Sequence, residues 1–180
     1  LTLFFFKDQY RFPESISKNY TGENSLPKNA GNLFKADSLR GYVTNPNTVV
    51  SMMTYYWSAT NSQGLHLTEA RNPTKIYEIP KPSNVFRIIV IGGSTVAGNG
   101  SADQYEALPS LLQKILREEY LAPTDESKKI EVINGGVGGY YSELEILHYL
   151  SSLRKLQPDL VISYNGANDI TITNDKLQKY

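Results

Sequence analysis

Three short stretches of this chain gather the residue types that could do chemistry. Gly92-Gly93-Ser94-Thr95 sets a hydroxyl directly after an apolar, β-branched run. Asn134-Gly135-Gly136-Val137-Gly138-Gly139 strips side chains from backbone amides, and Gly166-Ala167-Asn168-Asp169 offers a carboxamide beside a carboxylate. A serine at a tight strand-to-helix turn has its hydroxyl lifted above the sheet, and flanking glycines permit the cramped backbone. Only half of a G-x-S-x-G pattern is met, because Val96 stands where the second glycine would be. By itself the stretch reads also as a plain glycine turn or as a phosphate-cradling loop at a helix N-terminus. The phosphate reading lacks the Lys-Ser/Thr of a P-loop, and no G-x-G-x-x-G with a ribose-binding acid can be assembled here. Together, a hydroxyl, bare N–H groups and an Asn amide at one rim are what acyl transfer requires: a nucleophile, and donors aimed at a developing oxyanion.

For the three stretches to meet, each must end a strand of one sheet. FRIIVIGG from Phe86 is a short apolar run ending in glycines, as expected of a strand buried on both faces of a parallel sheet. Leu108, Leu111, Leu112, Ile115 and Leu116 then fall on one helical face, with Pro109 where a first-turn proline belongs, which predicts a helix to about residue 119 or 120. IEVIN (Ile130–Asn134) is a second strand. Ser142 and Glu145 have the spacing of a capping box opening a helix with apolar face Ile146, Leu147, Leu150 and Leu153, stopped by Pro158. DLVISY (Asp159–Tyr164) is a third strand. Strand, helix, strand, helix, strand at these spacings predicts βαβ crossovers, hence the α/β class with helices on both faces of a parallel sheet. Ligands in such sheets sit outside the carboxyl ends of the strands, where all three stretches fall.

Residues 1–84 differ. They are dense in Asn, Ser, Thr, Pro, Gly and Tyr without a sustained period, so they read as an irregular N-terminal extension to a domain over 85–180. Candidate short strands are Thr48–Tyr56 and Leu65–Leu67, and Pro80-Lys81-Pro82 reads as an extended linker. Tyr55-Tyr56-Trp57 fits either a sugar-stacking platform or packing under the neighbouring domain. The opening run LTLFFF is too short to span a bilayer, which takes roughly 20 residues. It reads either as the tail of an upstream anchor or signal segment, which would make the protein membrane-tethered or extracytoplasmic, or as an ordinary strand.

Charge argues for no macromolecular partner: 18 Lys+Arg balance 18 Asp+Glu with no like-charge run, which disfavours a nucleic-acid groove. The absence of cysteine excludes disulfides, zinc–thiolate sites, iron–sulfur clusters and a Cys nucleophile. No motif calls for a cofactor or metal. Only two histidines are present, His66 and His148, which limits any acid–base mechanism.

The order GGST after a first strand, N-x-G-x-x-G after a second and G-x-N-D after a third resembles the SGNH hydrolases, the GDSL-type esterases and lipases, over residues 86–170. KPSNVFRIIVIGGST is similar to the subset whose first motif reads GGST. The resemblance implies a three-layer α/β/α, flavodoxin-like sheet with strand order 2-1-3-4-5. It also implies Ser94 as nucleophile, with Gly139 N–H and the Asn168 side chain joining the Ser94 N–H in an oxyanion hole, and Asp169 in a structural role. Gly139 is chosen over Gly138 because it lies five residues after Asn134. The substrate class implied is an ester of a small molecule, carbohydrate or lipid. A non-catalytic carbohydrate-binding module on the same rim, and a nucleotide-binding domain, are the rivals.

One element of the family pattern is missing. A Ser hydroxyl needs a base to take its proton, and the family uses a His three residues after an Asp near the C-terminus. Three residues beyond the aspartates of this chain stand Arg11, Arg40, Glu106, Lys128, Ile162, Ile172 and Gln178, so no D-x-x-H exists. His148 reads as a surface or boundary residue of its helix, and His66 as lying before the sheet. The expectation is a domain cut short after its third motif, with the Asp–His pair in sequence beyond these 180 residues. Such a chain should be poorly soluble, because its third strand would be an uncovered apolar edge.

Overall fold

The computed structural model describes residues 33–52, 56–69, 75–101, 104–121 and 127–171. In chain order these form two antiparallel hairpins, β1 (Phe34–Asp37) with β2 (Gly41–Thr44) and β3 (Val49–Met52) with β4 (Tyr56–Ala59). Then come β5 (Val85–Gly92), α1 (Ser94–Ala97), α2 (Leu108–Ile115), β6 (Lys129–Gly136), α3 (Ser142–Ser151) and β7 (Leu160–Tyr164). A π-helical turn, Leu116–Leu121, extends α2, and a 3₁₀ turn, Leu153–Leu156, follows α3. The class is mixed α/β, with a three-stranded parallel sheet in the order β6-β5-β7.

β5 is the middle strand, and its unbroken apolar run follows from burial on both faces. Ile88 and Val90 pack with Val96 and Val132 against Leu112 and Leu116 of the α2 layer. Ile89 and Ile91 pack on the opposite face with Ile133, Leu153 and Leu156, and also with Leu65 and Tyr77 from the N-terminal segment. The change of sequence character near residue 84 is therefore not a break in packing, since one core includes residues from both sides of it. Pro80-Lys81-Pro82 is likewise tied down, with Lys81 N–H donating to Gln157 Oε1 at 2.6 Å and its ammonium paired with Asp159.

Both long helices bury only part of the face that periodicity predicts: Leu112 and Leu116, and Leu153 after α3, pack inward, and the rest of each stripe does not. In α2, Leu108, Leu111 and Ile115 are exposed, while Pro109, Ser110 and Gln113 are buried. The cause is the free edge of β6: Gln113 Oε1 accepts from Val132 N–H at 2.6 Å and its Nε2 donates to Ile130 O at 3.1 Å. In α3, Ile146 and Leu150 are exposed, whereas Glu145 and His148 are buried. Nor does the expected capping box form: Tyr141 is the N-cap, no side chain caps the helix, and Ser142 N–H is met by Asp169 instead.

The segment expected as one strand over Thr48–Tyr56 is a hairpin, β3 and β4; the stacking platform Tyr55-Tyr56-Trp57 and the run LTLFFF lie outside the described side chains. Leu65–Leu67 contributes only isolated bridges, in which His66 pairs with Thr60 on one side and with Asn134 of β6 on the other. Among the described residues no helix is long and apolar enough to cross a membrane.

Candidate functional site

Strand register brings the three stretches to one rim. Gly92 of β5 is the partner of Gly136 in β6 and of Tyr164 in β7, so the loops that follow all leave the sheet at the same level. They enclose a cavity of about 230 Å³ whose wall includes Ser94, Thr95, Tyr140, Glu145, Tyr164 and Asn168.

Ser94 is half-buried and is the first residue of α1, with Gly93 as N-cap and Gly98 closing the turn at φ +106°. Close approach explains Gly93: a Cβ there would stand 2.7 Å from Asn168 Nδ2 and 3.1 Å from Tyr140 O. The bare position lets the third loop pack onto the serine turn. Asn168 Nδ2 donates to Tyr140 O at 2.7 Å, which spends one of the two amide hydrogens and leaves the other to serve a ligand. Asp169 accepts from Ser142 N–H at 3.1 Å, and its hydrogen bonding to Ser142 holds its carboxyl below the usual range. That is a structural use of the carboxylate, since it ties the third loop to the start of α3.

Ser94 and Asn168 are thus brought together, and Gly139 is not with them. Gly139 sits at φ +81° in the turn 137–140, and a Cβ on it would stand 2.6 Å from Tyr42 Oη. The glycine-rich loop reaches the cavity through Tyr140 instead. Tyr42 braces that loop from the N-terminal hairpin: its hydroxyl donates to Gly138 O at 2.8 Å, and the Tyr140 hydroxyl donates back to Tyr42 O. Edge-on ring contacts continue the brace from Phe34 through Tyr42 and Tyr140 to His148.

Neither histidine lines the cavity. His66 is fully buried beside the end of β6, with Nδ1 2.8 Å from Ser58 Oγ, and desolvation lowers its pKa to about 4. His148 is only 7% exposed, which corrects its expected place at the surface. Its Nδ1 accepts a hydrogen bond from Arg40 at 2.8 Å. Because the guanidinium can only donate, that nitrogen carries no proton. Burial first and the Arg40 charge second lower its pKa to about 4.

Sequence reasoning missed three residues of this site: Tyr42, Tyr140 and Glu145. The spacing of Glu145 predicts a helix cap, yet its side chain is 2% exposed on the cavity wall, with Oε2 accepting from Asn165 Nδ2 at 2.9 Å. The one local signal was its position three residues after Ser142, which two different uses share. Among the described residues no cluster of three His, Asp or Glu side chains could hold a metal ion. Searched against protein-family models and curated proteins, the chain matches none.

Proposed function

We propose that this chain carries the nucleophile side of a serine esterase or acyltransferase site of the SGNH/GDSL type. The observation that carries the reading is that Ser94 and Asn168 share one cavity wall at the carboxyl rim of a parallel sheet. The order β6-β5-β7 also agrees with the first three strands of the flavodoxin-like order 2-1-3-4-5. Ser94 Oγ attacks the ester carbonyl carbon and gives its proton to a base. The tetrahedral oxyanion takes hydrogen bonds from Ser94 N–H and the second Asn168 amide hydrogen; the third donor that the resemblance implies, Gly139 N–H, is not part of the cavity wall. Collapse expels the alcohol, and water or a second alcohol then takes the acyl group from Ser94. The base is neither His66 nor His148, because both are buried elsewhere with their own partners.

Fluorophosphonate labelling of the full-length gene product tests the reading. Labelling is expected at Ser94 and lost in Ser94→Ala, and Asn168→Ala should slow it by about 10²–10³, or roughly 2.7–4 kcal/mol of barrier. No labelling of the wild type would sink it. The absence of histidine from the cavity favours a second reading, a non-catalytic carbohydrate-binding module, whose glycan binding would be indifferent to Ser94→Ala.

A further inference from the structure

The wall of the Ser94 cavity contains a carboxyl group with no part in the chemistry above. Glu145 is 98% removed from solvent, yet only one of its oxygens is satisfied: Oε2 takes the Asn165 amide, while Oε1 has no hydrogen-bond partner. An orphaned oxygen on a buried ionised carboxylate is costly, so a neutral side chain suits the place better. Burial accordingly pushes the Glu145 carboxyl above the usual carboxylate range, with the nearby Asp169 charge acting in the same sense.

Glu145 holds a particular piece of chain. Asn165 shares the same Nδ2 between Glu145 and Ser163 Oγ, each at 2.9 Å. Three residues further on, Asn168 is tied to Tyr140 O, and the next residue, Asp169, to Ser142 N–H. The loop after β7 is therefore fastened to the start of α3 and the turn before it at three points. Asn165 carries the fastening nearest the strand. Gly166, at φ +110°, stands between Asn165 and Asn168 and supplies no side-chain tie of its own.

We infer that Glu145 is a positioning residue for Asn168, acting through Asn165 to hold the 165–168 loop at the distance from Ser94 that the oxyanion requires. The consequence for rate rests on the esterase reading; the mechanical claim about the loop does not. The group required is a full-length side chain presenting an acceptor oxygen, not a negative charge. Glu145→Gln keeps shape and acceptor without a titratable group, Glu145→Asp keeps the carboxyl but withdraws the acceptor, and Glu145→Ala removes both.

The test measures two quantities on full-length wild type and these variants: fluorophosphonate labelling rate, and amide hydrogen exchange of the segment 164–171. Glu145→Ala and Glu145→Asp should lower the labelling rate constant at saturation about tenfold to a hundredfold, whereas Glu145→Gln stays within about threefold of wild type. Exchange in 164–171 should rise about tenfold in Ala and Asp and hardly in Gln, with the core strand β5 unchanged. Wild-type exchange rates in Glu145→Asp, or an effect of Gln as large as that of Ala, would overturn the inference. If wild type does not label at all, the esterase reading falls and the exchange arm alone decides the loop claim; Gln and Asp, the gentler substitutions, decide it should Ala fail to fold.

Discussion

The two edges of the parallel sheet are finished in different ways. Along β6, polar side chains stand in for a missing neighbour: Gln113 bonds Val132 N–H and Ile130 O, Arg117 Nε adds a second donor to Ile130 O at 3.1 Å, and Thr68 Oγ1 donates to Val132 O at 3.2 Å. Along β7 none of the described side chains does this, and Leu160 and Tyr164 are 44% and 56% exposed. Native sheets protect edges because unpaired N–H and C=O groups are templates for another strand. The β6 edge is closed by its own chain, whereas among the described residues no strand pairs with the outer edge of β7. The contrast shows why α2 buries a glutamine beside its inward leucines: a buried edge amide without a partner costs about 1–3 kcal/mol, as much as burying one more Leu would contribute.

Acid should strike hardest where the N-terminal segment is held to the rest of the fold. His66 links the N-terminal segment to β6, and His148 links α3 to Arg40; both have folded pKa values near 4 against about 6.5 for the unfolded chain. A histidine whose folded pKa is depressed binds its proton more readily when unfolded. The stability that each contributes is therefore complete above pH 6.5 and is lost as pH falls toward 4, on the order of 3 kcal/mol per histidine. Glu145 has the opposite sign, because its raised pKa favours the folded state at low pH and weakens it as pH rises past the ordinary Glu range. Denaturant midpoints from pH 7 to 4 should fall, and His66→Gln should flatten that slope by roughly half; an equal slope in the variant would remove His66 as a cause. Next in size, Gln113→Ala leaves Val132 N–H without its partner, while Ile130 O keeps Arg117, and should cost about 1–3 kcal/mol, with an unchanged m-value.

The contrast also marks what could be read in the sequence. Short apolar runs leading into glycine-containing loops locate all three strands, and strand ends converge on one rim in any parallel sheet, so Ser94 and Asn168 are legible as neighbours. Helix orientation is legible only in part. Periodicity finds the apolar stripe of α2, but Gln113 is buried by a backbone need on β6 that no local pattern encodes. The place of Glu145 is hidden for a related reason: S-x-x-E spacing fits a cap, and only the fold shows that the loop after β7 takes Ser142 N–H and leaves the glutamate to Asn165. The N-terminal segment was least legible. Its hold on the site, Tyr42 against Gly138 and Tyr140, spans nearly a hundred residues and rests on side chain–backbone bonds, which leave no periodic trace.

The smallest expected effect on stability probes the open edge. Leu160 opens β7 and is nearly half exposed, so Leu160→Lys removes little packing and should change unfolding free energy by no more than about 0.5 kcal/mol. A lysine there is, however, the device by which natural edge strands repel a second strand. If the β7 edge pairs between molecules, the 180-residue chain should associate with rising concentration in sedimentation velocity, and Leu160→Lys should shift it toward monomer. The reverse substitution on the closed side, Lys129→Leu at an exposed position, should leave association unchanged, because Gln113 and Arg117 already occupy the β6 edge. Equal association of wild type and Leu160→Lys would show that β7 is not the contact, and would remove the difference between the two edges as the cause of self-association.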